Sequence, residues 1–293
     1  MKASRLRSAS EIIPNTHLIL NHDLSVYHLA VTGDQIADDI WIVGDPERVP
    51  KISKYFDCIQ VQLHRREYVL HTGLLKGKPL TVVSSGIGVD NIDILINELD
   101  AAVNVNPSTR QINPQLRQLR FLRLGTSGSI RSEVPVHTIV ASRFSFAHDG
   151  VPLSYAAEME EHELGLFQEL KGNALTYDTT YVAQASEEMM ARYPIFDIEG
   201  ITYTANGFYG PQGRSVRLQS HAEDLTSLQS LRWREWQVTN IEMESAGLYA
   251  IAGLLGHQAL TCCVLLANRA TQEFSETPDQ AVEGLIQKAI QAF

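Results

Sequence analysis

Asn240-Ile241-Glu242-Met243-Glu244-Ser245-Ala246-Gly247 runs directly into the apolar segment Leu248-Tyr249-Ala250-Ile251-Ala252-Gly253-Leu254-Leu255-Gly256. The stretch sets two carboxylates and a thioether where an extended segment turns into a helix. Ala246, Tyr249, Ala250, Leu254 and Leu255 recur at helical spacing, and Gly256 supplies a stop. Carboxylates at the mouth of so apolar a helix have two readings. They favour the positive N-terminal end of the helix dipole, or a buried Glu244 accepts hydrogen bonds from vicinal sugar hydroxyls while Met243 packs on the apolar face of the sugar.

Working outward, the bulk numbers exclude several classes. A chain of 293 residues is one large domain or two small ones. Its net charge of −10 argues against a broad nucleic-acid footprint, which needs a basic face. Cys58, Cys262 and Cys263 fit neither a disulfide framework nor a metal-ligand spacing, so no metal is expected. Cys262 and Cys263 sit in the apolar run 259–267 and read as core thiols. No run of 18 apolar residues exists and the basic N-terminus lacks an apolar signal core, so the expectation is no membrane and a reducing cytoplasm.

Residues 1–22 read as a loosely held extension broken by Pro14-Asn15-Thr16, and 23–293 as one domain, with no internal repeat or linker. His28 lies in the short mixed segment 25–30; alone, it reads as a structural histidine. Residues 39–44 form an apolar strand, followed by Asp45 as an N-cap and Pro46 as first helical residue. Gly44 there allows close backbone approach, the helix start offers N–H groups to an anion, and Arg48 lies in the first turn. Residues 61–70 and 80–85 flank the turn Lys76-Gly77-Lys78-Pro79. Arg65 and Arg66 fall on the first of these strands and so point opposite ways.

A strand at 82–85 ends in Gly86-Ile87-Gly88, and residues 91–99 are apolar at helical spacing. Residues 104–118 are polar with two prolines and read as an inserted surface loop. Residues 119–124 are a strand ending in Gly125-Thr126-Ser127-Gly128, with Arg123 near its end. Strand, glycine turn, helix and strand again is the pattern of an α/β sheet, which binds ligands off the carboxyl ends of its strands. No glycine turn matches the dinucleotide fingerprint, which argues against a nicotinamide cofactor. Further strands are expected at 136–142 and 259–267, and helices at 158–170 and 279–293. The loop Phe208-Tyr209-Gly210-Pro211-Gln212-Gly213-Arg214 carries two aromatics, an amide and a guanidinium, which suits a heterocycle as well as an ordinary turn. Gly44, Arg48, Arg66, Arg123 and Thr126 suit an anion, and Met243 and Glu244 a ribose. Anion, sugar and base are the parts of a nucleoside phosphorolysis.

The same residues carry a resemblance. Val43-Gly44-Asp45-Pro46-Glu47-Arg48, Ser85-Gly86-Ile87-Gly88, Arg123-Leu124-Gly125-Thr126-Ser127-Gly128, Phe208 to Arg214, Asn240 to Ser245 and Asn268-Arg269 look like uridine phosphorylases of the nucleoside phosphorylase superfamily, in order over about residues 25–293. The Phe-x-x-x-Gln-x-Arg loop and the Asn-Arg pair resemble the pyrimidine branch. Purine-specific relatives typically carry an aspartate near the latter.

The resemblance implies a single-domain, three-layer α/β fold whose central mixed, partly barrel-like sheet is flanked by helices. It implies a pentosyltransferase: reversible phosphorolysis of uridine, or deoxyuridine, to uracil and ribose 1-phosphate in pyrimidine salvage. Phosphate is a co-substrate, and no cofactor is implied. Gly44, Arg48, Arg123, Thr126 and a partner-donated Arg66 would bind phosphate. Met243 and Glu244 would hold ribose with Glu242 supporting, and His28 would reach the 5′-hydroxyl across a dimer interface. Gln212 and Arg214 would read uracil, Phe208 line its pocket and Arg269 brace the loop. Arg123, Glu244 and Arg214 carry the chemistry. A homodimer or a hexameric ring of dimers is implied. Glu67 and Ile87 match a monovalent-cation site of some relatives, but Asn91 stands where serine is usual, so no ion is assigned. The rival readings are a phosphorylase of broader or purine specificity, a nucleoside hydrolase on the same fold, and a non-catalytic nucleoside-binding protein.

Overall fold

The computed structural model describes residues 1–4, 6–221 and 225–293. Ten strands form the body: β1 Asp39–Val43, β2 Cys58–Arg65, β3 Tyr68–Leu75, β4 Lys78–Ser84, β5 Arg120–Ser129, β6 Ile139–Ala147, β7 Tyr181–Gln184, β8 Ile198–Thr204, β9 Trp236–Glu242 and β10 Gln258–Asn268. The main helices are α1 Arg48–Ser53, α2 Val89–Asn104, α3 Glu161–Gly172, α4 Glu187–Arg192, α5 Ser245–Leu254 and α6 Pro278–Ala292, and a single turn of helix covers Thr226–Ser230. β7, α4 and β8 lie in stretches without a distinct local pattern.

β5 organises the sheet. It runs parallel to β10 from Arg120↔Gln258 to Ser129↔Asn268. On its other side it pairs first with β1, parallel, as far as Arg123↔Ile42. From Gly128↔Ile241 it pairs instead with β9, antiparallel. That second pairing closes β9, β8, β6, β10 and β5 into a ring of mixed parallel and antiparallel neighbours. The sheet also continues from β1 through β4 and β3 to β2. Residues 124–127 therefore have a neighbour only on the β10 side, and β1 and β9 arrive in the gap with their carboxyl ends facing one another. This is the helix-flanked, barrel-like mixed sheet in one domain that the resemblance implies.

Asn240 helps pin the closure. Its side-chain oxygen accepts from the hydroxyls of Thr202 (2.9 Å) and Thr239 (2.8 Å), and its amide donates to Ser127 (3.0 Å). The core packs Trp41, Phe121, Leu122, Cys262 and all of α5 but Gly253 out of solvent. A helix apolar on every side is stable only when it is surrounded by the core. Gly256 takes φ +78° just beyond it, the stop expected there. Among the described residues no helix is long and apolar enough to cross a membrane.

Four sequence expectations are corrected. Residues 61–70 are not one strand: the chain reverses at Arg66-Glu67, with Arg66 at φ +56°. The turn contains no glycine, asparagine or proline, so its composition is silent. Gly125 to Gly128 is not a turn ending a strand, because β5 continues through it, held by β10. Asp45 does not cap a helix starting at Pro46. Its carboxylate accepts from Glu47 N–H (2.9 Å), and the amides of Arg48 and Val49 bond the carbonyls of Asp45 (3.0 Å) and Pro46 (3.2 Å), so those donors are spent locally. The first 22 residues are not loose. Lys2–Ala3 pairs with Ala157–Glu158, and the Ile13 amide bonds the Arg110 carbonyl (2.8 Å). The polar stretch after α2 is itself ordered as a short antiparallel pair, Val105–Asn106 with Gln111–Ile112.

α2 and α5 converge on the gap because Gly247 lets them touch: a Cβ there would strike the Val89 side chain, with its Cγ2 at 3.0 Å. Helix propensity alone favours alanine over glycine by about 1 kcal/mol. Here the sign reverses, and Gly247→Ala is expected to lose about 1–2 kcal/mol in denaturant unfolding. A stabilised variant would mean that the helices do not depend on this contact.

Candidate active site

Arg123 leaves β5 beside the gap with its side chain only 4% exposed. Its Nη2 donates to Glu244 Oε2, its Nη1 lies 3.3 Å from Glu242 Oε2, and Nη1 also reaches Cys263 Sγ at 3.4 Å. The guanidinium folds back over Gly125, where a Cβ would collide with it and lie 2.7 Å from Cys263 Sγ. Burial disfavours its charge, but Glu244, Cys263 and Glu242 together hold its pKa above the ordinary arginine value. Nε of Arg123 is buried and has no hydrogen-bond partner among the described residues.

The two carboxylates of the opening stretch are not equivalent. Glu242 ends β9. Its Oε1 accepts from the Thr204 hydroxyl (2.6 Å) and Ser245 N–H (3.1 Å), and its Oε2 from the amides of Glu244 and Ser245 (both 3.0 Å). With Arg123 beside it, every acceptor position is occupied. Glu242 is thus the side chain that caps α5, as the helix-dipole reading has it. Glu244 accepts from Gly88 N–H (2.7 Å) at the start of α2 and from Arg123. A carboxylate has about four lone-pair sites, so about two stay open. Burial raises the Glu244 pKa and Arg123 pulls it down. Gly88, at φ +96°, brings its amide to the carboxylate in a conformation that glycine adopts without strain.

Arg48, at the start of α1 beyond β1, is the second cation here. Burial lowers its pKa, Asp45 opposes, and Arg123 lowers it further by charge repulsion. Among the described residues Arg48 makes no ion pair. Gly44 sits at the end of β1 against the Gly86 carbonyl, 3.6 Å from where its Cβ would be. Thr126 lies partly exposed in the unpaired stretch of β5, and Met243 is half-buried beside Glu244. The structure brings Gly44, Arg48, Arg123, Thr126, Glu242, Met243 and Glu244 to one gap.

A second group lies at the far end of β5. Gln212 is 3% exposed, and its Oε1 accepts from Arg214 Nη1, which also donates to the Phe208 carbonyl (2.8 Å). The Arg214 guanidinium stacks 4.0 Å over the Phe208 ring, with Nη2 4.0 Å from the Cβ position of Gly128. Arg269, just past β10, donates to the carbonyls of Gln212 (2.7 Å) and Gly213 (3.1 Å). Asn268 is buried and holds Ala270 N–H and the carbonyls of Arg131 and Val134. Arg269 therefore ties this loop to the end of β10.

His28 and Arg66 make contacts outside these two groups. His28 Nδ1 lies 2.6 Å from Glu98 Oε1, and the same carboxylate accepts the His28 and Leu29 amides. Glu98 is ten residues beyond Gly88 on α2, about 15 Å along the axis. The Arg66 guanidinium lies 6.0 Å over the Tyr27 ring on an exposed turn. Cys263, Gly125, Gly88, Thr204 and Glu98 were not singled out as site residues by sequence reasoning. Only strand register could have found Cys263, which lies opposite Gly125.

The model of the phosphorylase superfamily matches residues 40–293, and the chain belongs to that superfamily. Within it, the chain is 31% identical to the uridine phosphorylase of Thermococcus kodakarensis over 267 residues, 90% of this chain and 85% of that one. It is 28% identical to the uridine phosphorylase of Escherichia coli, over 91% of this chain and 96% of that one. The crystal structure of a Trypanosoma brucei nucleoside phosphorylase, described as showing uridine phosphorylase activity, superposes with a TM-score of 0.86 at 28% identity. It covers 94% of this chain and 98% of that one.

Placing a methyl group under the Arg123 guanidinium should displace it, at the cost of a push on the Cys263 thiol of β10. Gly125→Ala is expected to raise about tenfold or more the inorganic phosphate concentration needed for thermal stabilisation. An unchanged titration would remove Arg123 from the anion site.

Proposed function

We propose that the protein is a uridine phosphorylase, which splits uridine with inorganic phosphate into uracil and ribose 1-phosphate and runs reversibly in pyrimidine salvage. The observation that carries this reading is the gap beside residues 124–127: Arg123 lies there between Glu242 and Glu244 with its Nε unpartnered among the described residues, and Arg48 and Arg123 repel one another. An anion between them satisfies the orphan donor and relieves the repulsion. Phosphate is held by Arg48, Arg123, Thr126 and the Gly44 backbone. The two open acceptor sites of Glu244 suit the vicinal hydroxyls of a ribose, with Met243 packed beside it and Glu242 as support. Gln212 and Arg214 face the uracil edge beside Phe208.

Phosphate attacks C1′ as the glycosidic bond breaks, through an oxocarbenium-like state. The arginines position the nucleophile, and Arg214 and Gln212 meet the charge that develops on uracil. Hydrolysis on the same fold needs a carboxylate free to activate water. Glu242 is saturated, and in this reading the two open acceptor sites of Glu244 are taken by the ribose hydroxyls, which favours phosphorolysis. His28 is held by Glu98 about 15 Å along α2 from Gly88, too far to complete its own chain's gap, and Arg66 sits on an exposed turn over Tyr27. They complete the partner's site in a homodimer, alone or as part of a hexameric ring. The three free thiols suit a reducing cytoplasm.

Uracil release from uridine, followed with and without inorganic phosphate, tests the assignment. Release is expected only with phosphate, together with ribose 1-phosphate, and Arg123→Ala is expected to lose most of it. Release without phosphate would make the protein a hydrolase. The pH profile tests the ribose contact. Glu244 must be ionised to accept hydroxyl protons, and burial raises its pKa above the ordinary 4.5. Activity at low uridine should thus fall on acidification at a higher pH than for an exposed glutamate. Glu244→Gln should abolish that acid limb, and a limb that survives it belongs to another group.

A further inference from the structure

We infer that the N-terminal segment and the insert after α2 form one clamp that sets the position of His28, with Arg110 as its fastening residue. The inference rests on the proposed reading of His28 as a contact to the nucleoside 5′-hydroxyl. Arg110, half-buried in the insert, donates from Nε to the Ile13 carbonyl (2.8 Å) and from Nη2 to the carbonyls of Pro14 (3.3 Å) and Leu18. Its own carbonyl accepts from Ile13 N–H (2.8 Å), and Gln111 Nε2 donates to the Ser10 carbonyl (3.0 Å). Arg110 holds φ +58°, and its amide bonds the Asn106 carbonyl (2.8 Å), which aims the side chain back across the N-terminal segment. A guanidinium spent on three backbone carbonyls and on no carboxylate fixes the path of a chain and carries no surface ion pair.

That path leads straight to His28. Leu20 bridges Val26, and Asn21 donates to the Ser25 hydroxyl and the Val26 carbonyl (both 2.9 Å), closing a loop that ends two residues before His28. Arg65 ties this loop to the β2–β3 turn by donating to Asn21 Oδ1 (3.4 Å) and lying 5.4 Å over the Tyr27 ring. On the other side Glu98 fixes the His28 amide and Nδ1, so Nε2 is the ring nitrogen left to meet a ligand. The insert begins where α2 ends, and Glu98 lies on α2. One helix therefore carries both jaws of the clamp. The extension and the insert, which the phosphorolysis reading leaves without a task, acquire one together. Arg110 is a positioning residue and touches no substrate.

Two readouts separate this inference from the reading beneath it. Hydrogen exchange at the His28 and Leu29 amides should speed up about tenfold in Arg110→Ala, while β10 amides keep their rates. Unchanged exchange at 28–29 overturns the clamp. Equal acceleration across the sheet also overturns it, as general destabilisation. Gln111→Ala, the milder variant, should show a smaller change confined to the same amides. In turnover, Arg110→Ala should raise KM for uridine about three- to tenfold with kcat nearly unchanged. It should leave KM for 5′-deoxyuridine, which lacks the hydroxyl, where it was. Parallel shifts for both substrates overturn the link to the 5′-hydroxyl. If exchange responds as expected but His28→Ala does not distinguish the two substrates, the clamp stands and the 5′-hydroxyl reading of His28 fails.

Discussion

The structure turns on four residues of one strand that lack a neighbour on one side. A strand with an unpaired edge inside a sheet exposes backbone polar groups that must find partners or water. Here β5 exchanges β1 for β9 between Arg123 and Gly128. Because β1 is parallel to β5 and β9 antiparallel, their carboxyl ends meet in the gap, and each chain must leave it at once by a turn. Those exits deliver Gly44 and Arg48 from one side and Glu242, Met243 and Glu244 from the other, with the glycine corner before α2 supplying Gly88. Closing the ring and opening the site are one topological event.

A buried cation between two buried carboxylates is a poor way to stabilise a fold, since desolvation offsets most of the attraction. The cluster is tolerable because each member has other partners. Glu242 neutralises the amides that open α5, and Glu244 takes Gly88 N–H. Arg123 is the least satisfied, with its Nε unpaired. Removing one carboxylate leaves the guanidinium short of charge, which costs about 3–5 kcal/mol in comparable buried pairs. The arrangement thus trades stability for a preorganised field, with water excluded before any substrate arrives.

Elements with strong local signals were legible in the sequence: the strand before Gly44, the apolar helix α5 with its glycine stop, the strand holding Cys262 and Cys263, and the terminal helix. The motif residues of the gap could be named as a set because glycine, arginine and glutamate cluster at strand ends. What local pattern could not show depends on pairing. Nothing in Gly125-Thr126-Ser127-Gly128 distinguishes a turn from a strand that β10 holds extended. Arg66 occupies a left-handed turn position without a turn residue's composition. Glu98 is one polar residue on a helix until its carboxylate meets the His28 amide from 70 residues away. Asp45 and Pro46 satisfied the local rule for a helix start, yet the helix begins two residues later because the turn consumes the amides first.

One strand, β10, links the two groups of site residues. Its Cys263 receives the Arg123 guanidinium opposite Gly125, and six residues on, about 20 Å at strand spacing, Arg269 grips the carbonyls of Gln212 and Gly213. The distance between nucleophile and base in the proposed reaction is therefore set by a rigid, buried element, although the base residues sit on a loop. That resolves an apparent weakness of the site. Phe208 is 51% exposed and its loop has little core of its own, so the loop could not hold Gln212 and Arg214 by packing alone. The stack of Arg214 on Phe208 and the bonds from Arg269 replace packing with directed contacts, and these leave Arg214 Nη2 toward Gly128 and the end of β5. A leaving group met there by a fixed positive charge departs as an anion without a proton from an acid, which matches a site in which Glu242 is saturated and Glu244 is paired with Arg123.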